Sequence, residues 1–339
     1  MMEHQSAGPD AGRPLLEVED LHVEFRLRGS TVRAVNGLSY GLQEGETLAI
    51  LGESGSGKSV SAQAVMGILD TPPAYVTKGA VRFRGTELLG LPEKKRRIYR
   101  GAHIAMIFQD ALSALNPVHQ VGDQIAEMLL VHRGMSRGDA RKRAIELMDH
   151  VRIPSAADRA TDYPHQFSGG MRQRVMIAMA LALEPDVLIA DEPTTALDVT
   201  VQAQIMKLLR DLQDEMAMGL ILITHDLGVV ADVADRIVVM YAGRVVEQSE
   251  VKELYARPAH PYTEGLLASV PRVDVRESAL TPIKGAPPNL AAIPSGCPFH
   301  PRCPRAREER CPDEVPELRD VTGTGHGSAC HYAEEVLGG

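Results

Sequence analysis

Eight consecutive residues, Gly52-Glu53-Ser54-Gly55-Ser56-Gly57-Lys58-Ser59, follow the pattern G-x-x-x-x-G-K-[ST]. Glycines at positions 52, 55 and 57 let main-chain N–H groups turn into one anion-sized cup and leave space for phosphate where a side chain would block it. Lys58 carries a positive charge to the β- and γ-phosphates of a nucleotide, and Ser59 offers a hydroxyl to Mg²⁺. A second glycine turn, Phe167-Ser168-Gly169-Gly170-Met171, sets another hydroxyl and further N–H groups at the start of a helix, again an anion site. Shortly after it the apolar run Val187 to Ala190 closes on Asp191 and Glu192. Asp191 is placed to reach Mg²⁺ through the metal's water shell, and Glu192 to polarise an attacking water. Gln109 also follows a short apolar run and can offer its amide oxygen to Mg²⁺ or water, and His225 ends another run; alone, either residue at a strand end reads as structural.

The flanking residues predict the elements that position these groups. Thr47 to Leu51 reads as a strand into the glycines, and Lys58 to Leu69, beginning Lys58-Ser59-Val60, as the helix after them. That is the context such a loop requires. Leu16 to Phe25 and Val32 to Leu42 alternate like strands of an antiparallel edge region, and Gly79 to Leu89 is β-rich. Ile104 to Phe108 and Leu220 to Thr224 read as further strands, and Arg236 to Val246 as a hairpin-like return. Helical periodicity covers 121–132, 137–150, 171–183 and 199–216, with Ser136 as an N-cap. The alternation predicts an α/β layered domain of about residues 15–256, with a helical subdomain near 110–166.

Composition bounds the function. The chain has 339 residues, 44% of them hydrophobic, enough for one large domain and an appendage. Net charge is −9, from 45 acidic against 36 basic residues, which argues against a nucleic-acid partner. The run Lys94-Lys95-Arg96-Arg97 reads as a solvated helix face. No apolar run reaches membrane-spanning length, and residues 1–14 read as a disordered segment without a signal-peptide core. A cytoplasmic protein is expected, its membrane association coming through a partner. All four cysteines lie beyond residue 296 and mark 257–339 as a C-terminal extension, where clustered thiols point to metal more than to disulfides.

Taken in order, the P-loop, the Ser-Gly-Gly turn and the strand ending in Asp191-Glu192 resemble the ATPase subunit of ATP-binding cassette (ABC) transporters. The resemblance covers roughly residues 15–255. It implies a P-loop NTPase fold, ATP and Mg²⁺, with Glu192 as catalytic base and His225 bonding the γ-phosphate and orienting water. It also implies Gln109 linking that phosphate to a transmembrane partner, and Phe25 stacking on adenine, with Arg33 as an alternative there. Val60 and Ser54 join the ATP-binding set. Ser168, Gly169 and Gly170, with Asp198 of Ala196-Leu197-Asp198, close on ATP held by a partner subunit. Met171 departs from the family's usual Leu-Ser-Gly-Gly-Gln, and Gln173 offers substitute polar contacts.

The segment Gly285-Ala286-Pro287-Pro288, followed by Cys297-Pro298-Phe299-His300-Pro301-Arg302-Cys303-Pro304, resembles the C-terminal extension of ATPases in the oligopeptide/dipeptide importer subfamily. Cys297, Cys303, Cys311 and Cys330 are spaced more widely than the tight pairs of zinc ribbons. Four thiolates suit a [4Fe–4S] cluster, which members of this subfamily carry; Zn²⁺ and unligated thiols stay open, with His300 and His331 as alternative ligands. The implied assembly is two ATPase subunits (a paralogue or a second copy), two transmembrane permease subunits and a solute-binding protein, at the cytoplasmic face of the membrane. The alternative is the ATPase of a nickel or other small-solute importer, which this chain also resembles. A soluble DNA-repair ATPase of the same class would need a longer insertion between the two glycine turns.

Overall fold

The computed structural model describes residues 13–195, 197–269 and 282–338. Residues 1–12 of the segment expected to be disordered, Ala196, and the stretch 270–281 with Pro271 lie outside the described residues. Strands β1 (Leu16–Leu27) and β2 (Ser30–Leu42) pair antiparallel. Val18 and Leu21 are an odd number of residues apart, and a register shift between them keeps both inward. Strand β3 (Thr47–Leu51) leads to the glycine turn and α1 (Lys58–Met66), which Gly67 stops in the left-handed conformation, short of the predicted Leu69. Strands β4 (Ala74–Phe83) and β5 (Thr86–Glu87) complete a sheet of order β2-β1-β4-β5. The basic run forms the single turn α2 (Glu93–Arg96), exposed as expected, where Glu93 receives hydrogen bonds from Arg96 and Arg100.

After β6 (Ile104–Ile107) comes the helical layer: α3 (Ala111–Ala114), α4 (Val121–Arg133), α5 (Arg137–His150), α6 (Ala156–Arg159) and α7 (Gly169–Leu181). Ser136 caps α5 by accepting from the Asp139 N–H. Next are β7 (Val187–Asp191), α8 (Val199–Met216), β8 (Gly219–Thr224), α9 (Leu227–Val233), β9 (Arg236–Tyr241) and β10 (Arg244–Glu250). Helix α8 buries Ile205, Leu208, Leu209 and Leu212, the stripe of a helix lying on a sheet. Helices α10 (Val251–Ala256) and α11 (Pro261–Ala268) open the C-terminal part, which ends in β11 (Arg319–Asp320), β12 (Gly327–Ser328) and α12 (Ala333–Leu337).

The main sheet runs β11-β12-β10-β9-β3-β8-β7-β6. Its centre, from β9 to β6, is parallel, so strands are buried on both faces. In β3, Leu48 and Ile50 join the core shared with the antiparallel sheet, whereas Ala49 and Leu51 face a second core containing Tyr262 and Phe299 from the extension. The expected hairpin return proves to be a hairpin on one side only: β9 pairs antiparallel with β10 but parallel with β3. The extension therefore packs against the strand that feeds the P-loop.

Candidate active site

Parallel pairing aligns the C-terminal ends of β3, β8, β7 and β6 along one edge: Leu51 stands opposite Thr224, Ile223 opposite Asp191, and Ala190 opposite Ile107. Gly52, His225, Glu192 and Gln109 follow these ends, so groups distant in sequence share one crevice. Glycine is required at positions 52 and 57 by the protein's own backbone. A Cβ at Gly52 would lie 2.3 Å from the Met240 carbonyl oxygen, and one at Gly57, whose φ is +99°, 2.2 Å from that of Ala34. At Gly55 a Cβ would meet nothing within 4 Å, which leaves open space above the loop as the sequence predicts.

Lys58 Nζ donates to the carbonyls of Gly52 (2.7 Å) and Glu53 (3.0 Å) and is 5% exposed. Burial lowers its pKa, opposed by the charges of Glu192, Asp191 and Glu53. Ser59 Oγ donates to Asp191 Oδ1 at 2.9 Å, which brings together two of the three groups expected at Mg²⁺. Burial raises the Asp191 pKa, the Ser59 hydrogen bond and the Lys58 charge opposing it. Glu192 sits in the left-handed region at φ +46°, a conformation costly for a non-glycine residue and concentrated at functional sites. Its Oε2 accepts from Gln109 Nε2 (2.9 Å) and Thr195 Oγ1 (2.8 Å), and its Oε1 lies 3.4 Å from His225 Nδ1. Gln109 thus meets Glu192 directly, and Thr195, absent from the sequence reading, is a third partner of the same carboxylate. Its signal was its place three residues after Glu192, in the turn that ends β7. Ser54 and Gly55 are exposed on the loop, and Val60 is half-buried in α1.

The second signature caps two helices. Ser168 caps α7, its Oγ accepting from Met171 N–H at 3.4 Å, and Asp198 caps α8 by accepting from Val201 N–H. Among the described residues no hydrogen bond joins Ser168, Gly169 or Gly170 to the P-loop or to Glu192. Met171 packs against the helical core, and Gln173 is 4% exposed with its amide nitrogen unpartnered. The polar contacts expected of it are not made by its amide nitrogen, which is buried in α7. Phe25 lies half-buried near the end of β1 against the core between the sheets.

The four cysteines line one small pocket with His260 and Phe299. Burial pushes the Cys297 thiol up to about 11 and that of Cys303 up to about 12. Among the described residues, however, no three His, Cys, Asp or Glu side chains converge so as to hold a metal ion. The expected metal centre is met only as far as a shared pocket of soft donors. The described helices include none long and apolar enough to cross a membrane.

A family profile described as "ABC transporter" matches residues 35–195, and one described as "Oligopeptide/dipeptide transporter, C-terminal region" matches 246–311. The chain is 55% identical over 290 residues to the dipeptide transport ATP-binding protein DppD of Bacillus subtilis, covering 86% of this chain and 87% of that protein. It is 51% identical over 308 residues to the oligopeptide transport ATP-binding protein OppD of Salmonella typhimurium, covering 91% of each. Among solved structures it resembles a dimeric post-hydrolysis state of the ATP-binding cassette MJ0796 bound to ADP and Pi. There the TM-score is 0.63 and the identity 28%, with 70% of this chain and 98% of the other covered.

Proposed function

We propose, from the premise that this chain belongs to the ABC transporter ATPase family, that it is the ATP-hydrolysing subunit powering import of oligopeptides or dipeptides. One observation carries the enzymatic part: Lys58, Ser59, Asp191 and Glu192 meet at the C-terminal ends of the parallel strands β3 and β7, which flank β8, with Gln109, Thr195 and His225 ordering the Glu192 carboxylate. The P-loop N–H groups and Lys58 bind the β- and γ-phosphates. Ser59 and Asp191, already paired, are the groups that would hold Mg²⁺, with Gln109 beside them; bound Mg²⁺ neutralises charge on the phosphates. Glu192 takes a proton from the attacking water, and His225 orients that water toward the γ-phosphate. Phe25 supports the adenine, while Ser54, Gly55, Ser56 and Val60 complete the nucleotide contacts.

Among the described residues Ser168, Gly169, Gly170 and Asp198 share no hydrogen bond with the P-loop or Glu192, which supports their closing on ATP held by a second ATPase subunit, a paralogue or a second copy. Two permease subunits and a solute-binding protein complete the importer on the cytoplasmic face of the membrane. The peptide assignment rests on the match of residues 246–311 and on the relatives. A [4Fe–4S] cluster held by Cys297, Cys303, Cys311 and Cys330 is part of this reading, supported by the one pocket that the four cysteines share. Zn²⁺ on the same four thiols is the alternative. The test is co-expression with the permease subunits and reconstitution in proteoliposomes. Peptides presented with the binding protein should stimulate ATP hydrolysis; stimulation by Ni²⁺ and not by peptides would overturn the peptide assignment.

A further inference from the structure

Glu53 lies inside the P-loop, yet its partners come from the far end of the chain. Arg302 grips its carboxylate with two nitrogens, Nη1 to Oε2 at 2.6 Å and Nη2 to Oε1 at 3.0 Å. The rest of the guanidinium is also committed, Nε to the Lys284 carbonyl at 3.0 Å and Nη1 to the Tyr241 hydroxyl at 3.3 Å, and the side chain is 6% exposed. The Glu53 main-chain N–H donates to the Tyr262 hydroxyl at 2.9 Å, so both the backbone and the side chain of one loop residue are held by the extension. Tyr262 is itself fixed, fully buried and packed edge-on against Tyr241 with ring centroids 4.7 Å apart, and against Phe299 at 5.3 Å. Pro287, Pro288 and Leu290 line a small cavity together with Glu53 to Ser56. The Glu53 carbonyl in turn accepts from Lys58 Nζ, so displacement of Glu53 moves the phosphate-binding lysine's anchor.

The electrostatic problem is specific. A carboxylate in a loop built to hold a polyanion opposes binding unless a cation offsets it, and within the loop Lys58 is the only cation. A bidentate guanidinium is the group best suited to neutralise the carboxylate and fix its direction together. We propose that Arg302, assisted by Tyr262, is a positioning residue for the P-loop: by neutralising and orienting Glu53 it sets the affinity for ATP, which makes the C-terminal extension part of the nucleotide site. The proposal rests on the ATP-binding reading of the P-loop.

The test is ATP binding and turnover by the full chain carrying Arg302→Gln, Glu53→Gln, or both, with Lys58→Ala in the same assay. Arg302→Gln should weaken ATP binding and raise KM about tenfold, equivalent to about 1.4 kcal/mol, with kcat at saturating ATP within about twofold. Adding Glu53→Gln should recover most of that affinity, because the uncompensated carboxylate is gone. A residue that only staples the tail would give a double variant no better than Arg302→Gln, and that result overturns the proposal, as does an unchanged Kd in Arg302→Gln. Should Arg302→Gln fail to fold, Arg302→Lys keeps the charge without the fork, and an intermediate Kd is expected; a Kd equal to that of the unaltered protein refutes the role. If Lys58→Ala keeps full ATP affinity, the P-loop reading itself fails, an outcome distinct from failure at Arg302.

Discussion

Replacing Glu192 by Gln separates binding from chemistry, and the structure says how cleanly. The carboxylate is 14% exposed and has three neighbours, two on Oε2 and one on Oε1. The introduced amide can place its oxygen where Oε2 lies, still accepting from Gln109 and Thr195, and turn its nitrogen to His225, whose ring accepts in its neutral form. Each contact then weakens from a charge-assisted to a neutral hydrogen bond, about 1 kcal/mol apiece, while the loop, Lys58 and the Ser59–Asp191 pair stay in place. Loss of a general base costs about 10²–10⁴-fold in turnover, or about 2.7–5.5 kcal/mol of barrier. Removal of a negative charge beside the site leaves ATP binding as tight or tighter. Single-turnover phosphate release at saturating Mg-ATP, alongside titration of a fluorescent nucleotide, measures both quantities. A turnover loss of less than about tenfold would show that another group accepts the proton.

Two further outcomes follow from the geometry. Gly57→Ala should destabilise the fold by more than about 2 kcal/mol, since φ is +99° and the new methyl carbon would lie 2.2 Å from the Ala34 carbonyl oxygen; denaturant unfolding reads this, and a neutral effect would refute the strain. Burial raises the pKa of Tyr40, Tyr255 and Tyr262 well above the usual value near 10. Because the folded state binds these protons more tightly, their contribution is full below pH 10 and is lost as pH rises above it. The phenolate signal of these three should therefore appear only together with loss of structure, and ionisation of all eight tyrosines within an intact fold would contradict the burial.

The crevice was legible in sequence because each of its parts is local. Thr47–Leu51 and Val199–Met216 appear with the predicted bounds, one an apolar run stopped by glycine, the other strongly periodic. The helix after the Ser-Gly-Gly turn starts at Gly169, two residues earlier than predicted, since Ser168 is its cap. What stayed hidden was partnership at long range. Nothing in Arg236–Tyr241 tells that its second neighbour is β3, and nothing near Glu53 announces a guanidinium 249 positions away. Gln173, expected to offer polar contacts, is turned into the core by helix phase. The cysteines declared a common site by their clustering, but not whether their sulfurs meet at one point.

The short strand β12 bears on how the protein behaves in a crowded solution. It pairs with Glu247 and Gln248 of β10, and β11 pairs on its outer side, so the main sheet ends at this flank in two two-residue strands. Long unpaired strand edges recruit other chains, and very short terminal strands are one way to blunt them. Cutting the chain after α11 would remove both short strands and leave Glu247 and Gln248 of β10 without their ladder partners on that side. The truncated protein would then be prone to sheet-to-sheet self-association, so the tail serves as a guard against aggregation as well.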